Sequence, residues 1–227
     1  MIKNMVRGAA ALSLALTPLA LPSSATAAPA APAEAAVLNL VDAIGQIPLA
    51  GESRTGYNRE SFRHWNRGLD LTDGCNTRNE VLLAEAIEVP NAAAGCKLSG
   101  GLWISYYDGQ EVNDAAKLDI DHMVPLAEAW DSGASSWTAG RREAYANDQD
   151  AATSLVAVTA RSNRSKSDQD PAEWMPPLPD AHCRYVSEWV ATKLRWGLAA
   201  DQAEADALQL YAEGPCETTV VHYTPAP

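Results

Sequence analysis

The segment Leu118-Asp119-Ile120-Asp121-His122-Met123-Val124-Pro125 constrains the fold more than any other stretch of this chain. Apolar and acidic residues alternate along it, the pattern of a strand with one apolar face, and Pro125 cannot continue a hydrogen-bonded ladder. Period two sends Asp119 and Asp121 to one face and turns His122, at the strand's end, to the other. A Val-rich run from Ser154 to Thr159 predicts the second strand. Asn163 is expected to begin or precede a helix that Pro171 bounds.

Helical spacing predicts an opening helix over 36–47, a helix capped by Asn76 and running to about Glu88, and a helical stretch from Leu126 to Asp148 broken at Ser132-Gly133. It also predicts helices over His182–Gly197 and Asp201–Tyr211, and Gly100 to Tyr107 has strand composition. The expected fold class is α+β, with a short antiparallel sheet carrying the chemistry and surrounding helices building the core.

Lys3 and Arg7, an apolar run from Ala9 to Leu21 and Ala25-Thr26-Ala27 read as a secretory signal peptide over residues 1–27. The run is shorter than the roughly twenty residues a membrane span requires, so an exported, membrane-free monomer is expected after cleavage. Residues 28–36 read as a flexible Ala/Pro-rich lead-in and 37–227 as a single domain. In an exported chain Cys75, Cys96, Cys183 and Cys216 are expected to form disulfides, and the sequential pairing closes the shortest loops. Convergence of the four thiols on zinc is the alternative.

The chemistry is concentrated in two pieces. Asp121-His122 supplies an oxygen ligand for a hard cation and a general base for water, and Ala160-Arg161-Ser162-Asn163-Arg164-Ser165-Lys166 supplies an amide ligand flanked by cations. This pattern resembles the HNH, or ββα-metal, endonuclease family. It is similar also to secreted nucleases related to the C-terminal domain of modification-dependent restriction endonucleases, whose pattern adds Tyr145-Ala146-Asn147-Asp148 and Asp170-Pro171-Ala172-Glu173-Trp174-Met175-Pro176-Pro177. The likeness extends from about Arg54 to Leu198. It implies a disulfide-stapled domain with a ββα-metal core, His122 activating water, and Asp121 and Asn163 holding one Mg²⁺ or Mn²⁺, other divalent metals being possible. Asp119 is a further ligand candidate or a support for one. Asn147 would orient the histidine-bearing segment. Arg164, Lys166 and Arg161 would contact substrate phosphates. The implied reaction is hydrolysis of DNA, with RNA also allowed, giving 5′-phosphate ends.

Charge opposes a tight nucleic-acid binder: 17 Lys and Arg against 29 Asp and Glu give a net charge of −12. Affinity must therefore be local, and Arg141, Arg142, Arg161, Arg164 and Lys166 cluster in sequence around the two pieces. Arg59, Arg78 and Glu80 match the secreted relatives without an evident chemical role, a buried Arg-to-Glu tie that braces the site being one reading. His64, His182 and His222 lack motif context, and the tryptophans read as packing residues. The rival to an enzyme is a secreted, disulfide-stapled binding protein whose metal site is structural or vestigial. The intact set Asp121, His122 and Asn163 argues for the enzyme.

Overall fold

A computed structural model describes residues 34–227; the signal segment and residues 28–33 of the lead-in lie outside the described residues. The order of elements is β1 (Ala36–Asn39), α1 (Leu40–Ile44), α2 (Thr77–Glu85), β2 (Asn91–Ala93), β3 (Lys97–Ser99), β4 (Trp103–Ser105), β5 (Gln110–Val112), β6 (Leu118–His122), α3 (Leu126–Asp131), α4 (Ala139–Ala146), β7 (Leu155–Thr159), α5 (Ala160–Lys166), α6 (His182–Trp196), α7 (Gln202–Ala212) and β8 (Val220–Tyr223). The class is α+β, as expected. Among the described residues the strands form four antiparallel pairs, β1–β8, β2–β3, β4–β5 and β6–β7.

The β6–β7 pair lies between two apolar clusters. Leu118 and Ile120 of β6 join Leu155 and Ala157 of β7 in a cluster with Val81, Leu82 and Trp103. Val156 and Val158 point the other way, into the main core with Tyr185, Val186 and Trp189 of α6. Burial on both faces explains why β7 is almost continuously apolar. The register pairs Leu118 with Thr159 and His122 with Leu155. Among the described residues the outer edge of β7 forms no ladder with a further strand, and side chains satisfy two of its N–H groups: Ala157 donates to Glu85 Oε2 at 2.9 Å and Thr159 to Ser105 Oγ of β4 at 3.0 Å. Pro125 stops β6 and stands at the start of α3.

Several local expectations change. Residues 36–47 are not one helix: Ala36, assigned to the lead-in, opens β1, which pairs with β8 near the far end of the chain. That distant partner decides the conformation, and local periodicity carries no trace of it. The helix capped by Asn76, whose side chain accepts from Asn79 N at 3.0 Å, ends at Glu85 rather than Glu88. Ile87, expected inward, is exposed. Asn163 neither caps nor begins its helix; α5 follows β7 without a loop, and Thr159 Oγ1 caps it by accepting from Ser162 N. The helix thus starts as soon as the strand ends.

Both disulfides follow the sequential pairing, Cys75–Cys96 and Cys183–Cys216, closing separations of 21 and 33 residues. In the chain-entropy account each stabilises the fold by roughly 3–4 kcal/mol. The first closes the loop that contains α2 and β2; the second fastens the start of α6 to the turn after α7. Gly197 ends α6 with φ +65°, the left-handed cap that glycine adopts without penalty. Gly68 is required for a different reason, since a Cβ there would fall 1.9 Å from the Glu80 carboxyl carbon.

Candidate active site

His122 is the buried centre of a cleft of about 430 Å³ that Asp121, Asn163, Arg164, Tyr57 and Arg59 also line. Its Nε2 lies 2.9 Å from the carbonyl oxygen of Ala146. A carbonyl only accepts, so Nε2 carries the proton and Nδ1 keeps its lone pair. The ring is flanked by near-parallel aromatic rings, Trp65 at 5.4 Å and Tyr145 at 6.3 Å between centroids. Burial is the main cause that drives the imidazole pKa down to about 3, with His64, Arg59 and Lys166 adding smaller pressure in the same direction and the Ala146 carbonyl opposing it. A neutral, oriented imidazole is the state a general base requires.

The segment Tyr145-Ala146-Asn147-Asp148 builds the bracket behind this ring. Tyr145 flanks the imidazole and donates its hydroxyl to Val124 O, and Ala146 supplies the carbonyl that fixes the tautomer. The Asn147 side chain accepts from Asn66 N (2.9 Å) and Thr77 Oγ1 (3.1 Å) and donates to Arg63 O and Glu143 O, both at 2.8 Å. It therefore holds the loop bearing His64 and Trp65 against the end of α4. Asp148 takes both Arg195 Nε and Nη2, at 2.7 and 2.8 Å, tying the bracket to α6. Asn147 does not line the cleft, so its part is positioning.

Asp121 faces the opposite side of β6 from His122, where burial pushes its carboxyl pKa up and Lys166 and Tyr107 oppose the rise. Oδ2 accepts from Tyr107 Oη at 2.6 Å and from Lys166 Nζ at 2.5 Å. Among the described residues no hydrogen bond engages Oδ1, and the residue lines the cleft. Asn163, one turn before Lys166, presents a similar atom: its Nδ2 donates to Asp119 Oδ2 at 3.4 Å, and the amide oxygen has no hydrogen-bond partner among the described residues. Two oxygens without hydrogen-bond partners on one cleft beside a neutral imidazole fit a hard divalent cation that keeps several waters. Asp119 does not itself line the cleft; it supports Asn163 and pairs loosely with Arg164 Nε at 3.4 Å.

The family of GmrSD restriction endonucleases, C-terminal domain, matches residues 78–209. The chain belongs to this family. It is also 37% identical over 194 residues to an uncharacterized secreted protein of Arthroderma benhamiae, a match that covers 86% of this chain and 92% of that one. No solved structure matches.

The stretch matched to the GmrSD C-terminal family contains both pieces of the motif but not Tyr57 or Arg59. Lys166, expected at a substrate phosphate, is fully buried, and its ammonium donates to Asp121 Oδ2, His122 O (3.0 Å) and Met123 O (2.7 Å). All three of its donors are spent inside the protein. Arg161 lines a second cavity beside α5 and not this cleft. Arg141 and Arg142, grouped with the site by sequence, are packing residues instead: Arg141 covers Trp137 and Trp196, while Arg142 donates to the carbonyls of Ser61, Ala134 and Trp137. Arg78 and Glu80 do not pair with each other. Arg78 donates to Ala115 O and Leu118 O at the start of β6, and Glu80 accepts from Leu69 N, Asp70 N and Gln149 Nε2.

Sequence reasoning missed Tyr107, whose hydroxyl shares Asp121 with Lys166, and Trp65, which flanks His122. It left Arg59 without a role, although this exposed side chain lines the cleft. The signal available for Arg59 was the Tyr57-Asn58-Arg59 likeness to the secreted relatives. No local pattern marks Tyr107 or Trp65, because each reaches the site through tertiary packing.

Proposed function

We propose that this chain is a secreted, metal-dependent endonuclease that hydrolyses phosphodiester bonds, with β6, β7 and α5 serving as its ββα-metal unit. The observation that carries the reading is the convergence of Asp121, His122 and Asn163 on one cleft, the imidazole pKa held low by burial and one oxygen each of Asp121 and Asn163 free of hydrogen bonds among the described residues. Secretion is supported by the name of the fungal relative and by two disulfides in a chain whose described helices are none of them long and apolar enough to cross a membrane.

In this reading His122 Nδ1 accepts a proton from a water in the cleft, and the Ala146 carbonyl holds Nε2–H so that the ring does not rotate. Asp121 Oδ1 and Asn163 Oδ1 would hold a divalent cation, Mg²⁺ or Mn²⁺, which supplies positive charge for the phosphoryl oxygens and the leaving 3′ oxygen. Tyr107 and Lys166 fix the other oxygen of Asp121, and Asp119 fixes the amide of Asn163. With Lys166 buried, Arg164 and Arg59 are the cations left to meet the substrate backbone from the cleft walls. Water attacks and no 2′-hydroxyl is needed, so DNA is the first substrate and RNA is allowed, with 5′-phosphate ends in either case.

The test is cleavage of supercoiled plasmid, linear DNA and RNA by the mature protein with Mg²⁺ or Mn²⁺, with and without chelator, beside His122→Ala. Nicking that chelation abolishes and that falls by about 10²–10⁴ in His122→Ala is expected. Substrates left intact across several divalent metals would overturn the enzyme reading. Undiminished cutting by the variant would remove His122 from the mechanism.

A further inference from the structure

The motif Asp170 to Pro177 has no part in the chemistry described above, yet its Trp174, Met175 and Pro177 line a second cavity of about 390 Å³. The opposite wall is α5: Asn163 and Arg164 border the catalytic cleft, whereas Arg161, Ser162 and Ser165 border this one. The two spaces are thus the two sides of one seven-residue helix. We propose that the second cavity is a nucleobase subsite, receiving an unpaired base of the strand whose phosphate lies in the cleft. This rests on the nuclease reading for the path of the strand, while the binding itself stands or falls separately.

Trp174 is the platform. Its Nε1 donates to Ser165 Oγ at 3.2 Å, and the ring packs edgewise on Tyr107 and Tyr185 at 5.3 and 5.6 Å, so the indole is fixed while part of it remains exposed to the cavity. A fixed, partly exposed indole flanked by Met175 and Pro177 offers the flat apolar contact on which any base stacks. The polar wall suits a base edge better than a phosphate, because Asp108 lies there, its Oδ2 taken by the hydroxyls of Thr159 and Ser162 and its Oδ1 left with capacity to accept from a base amino group. The phosphate contact falls instead to Arg161. Its guanidinium is exposed and makes no ion pair or hydrogen bond among the described residues, and it sits three residues from Arg164. That spacing sets the two Cβ atoms about 5–6 Å apart on one helix surface, so both arginines can follow a single backbone across α5. A paired base inside a duplex cannot enter a side cavity, so the subsite favours single-stranded or locally opened nucleic acid.

The experiment is fluorescence anisotropy of a labelled short oligodeoxythymidine with the mature protein in chelator, comparing wild type, Trp174→Ala, Trp174→Phe and Arg161→Ala, with an abasic oligonucleotide of equal length. Trp174→Ala should weaken binding roughly 10- to 100-fold and Trp174→Phe far less, in line with measured base–aromatic stacking. The abasic strand should bind wild type as weakly as the normal strand binds Trp174→Ala. Because the abasic comparison changes no protein residue, it decides the matter even if Trp174→Ala folds poorly. Equal affinity of wild type for the normal and abasic strands overturns the subsite, whatever the plasmid assay shows. Trp174-dependent binding without any cleavage keeps the subsite and overturns the nuclease.

Discussion

Replacing Lys166 with methionine separates a buried structural cation from a phosphate-binding one. The ammonium is fully buried with three acceptors: Asp121 Oδ2, His122 O and Met123 O. Methionine fills much of the same volume but donates nothing, so the Asp121 carboxylate keeps only Tyr107 and two carbonyls lose their partner. Breaking a buried ion pair from one side costs about 3–5 kcal/mol, against a total stability of about 5–15 kcal/mol for a domain. Urea unfolding with disulfides intact and chelator present should show that loss, a midpoint lowered by about 2 M for an m-value near 2 kcal/mol/M. Asp121→Asn combined with Lys166→Met should cost less than the two single changes added together, because no unpaired charge then remains. A Lys166→Met protein within about 1 kcal/mol of wild type would refute the argument. If that protein instead bound nucleic acid with a shallower salt dependence, Lys166 would be a surface phosphate contact after all.

Asn147→Ala removes four hydrogen bonds and should lower stability by about 2–4 kcal/mol. In the fraction that remains folded, turnover should fall as well, because the Trp65 loop and the Ala146 carbonyl orient His122; intact turnover would show that Asn147 is only a fold residue. Glu85 contributes to the pH dependence: burial raises its pKa from 4.5 to about 7, so between those values the folded state binds a proton that the unfolded state has released. That contribution to stability is therefore present below pH 4.5 and lost as pH rises to 7. The thermal midpoint of Glu85→Gln minus that of wild type should increase from pH 4.5 to 7 and then level off, and a difference that is flat or falls with pH would contradict the assignment.

The part of the site that could be read from sequence is the part that local pattern encodes. Alternation in Leu118 to His122 placed Asp121 and His122 on opposite sides of one strand, and the strand ends where Pro125 forbids its continuation. The likeness of Tyr145 to Asp148 to the secreted relatives pointed to a bracket whose members each proved to hold something. The rest depended on distance. β1 is a strand because β8 lies beside it, and Tyr107 and Trp65 belong to the site because the chain folds them onto Asp121 and His122. A residue's own neighbours in sequence cannot report a partner that arrives from elsewhere, so these contacts had no local signature.

The cations of α5 show the same division at the scale of one helix. Arg161, Arg164 and Lys166 form a basic cluster in sequence, but 3.6 residues per turn keeps the two arginines on adjacent strips of the exposed surface and turns Lys166 inward. Arg164 reaches the cleft, Arg161 the cavity behind it, and Lys166 the core beneath Asp121. In a chain of net charge −12 this distribution matters more than the count. The buried lysine offsets the Asp121 carboxylate, and on α5 the two arginines are the cations left, with Arg59 across the cleft, to attract a polyanion. Binding should therefore weaken with salt along the shallow slope of a few phosphate contacts, about 0.7 per contact for a single strand. A slope that stayed unchanged when both Arg161 and Arg164 were replaced would mean that the strand crosses some other surface.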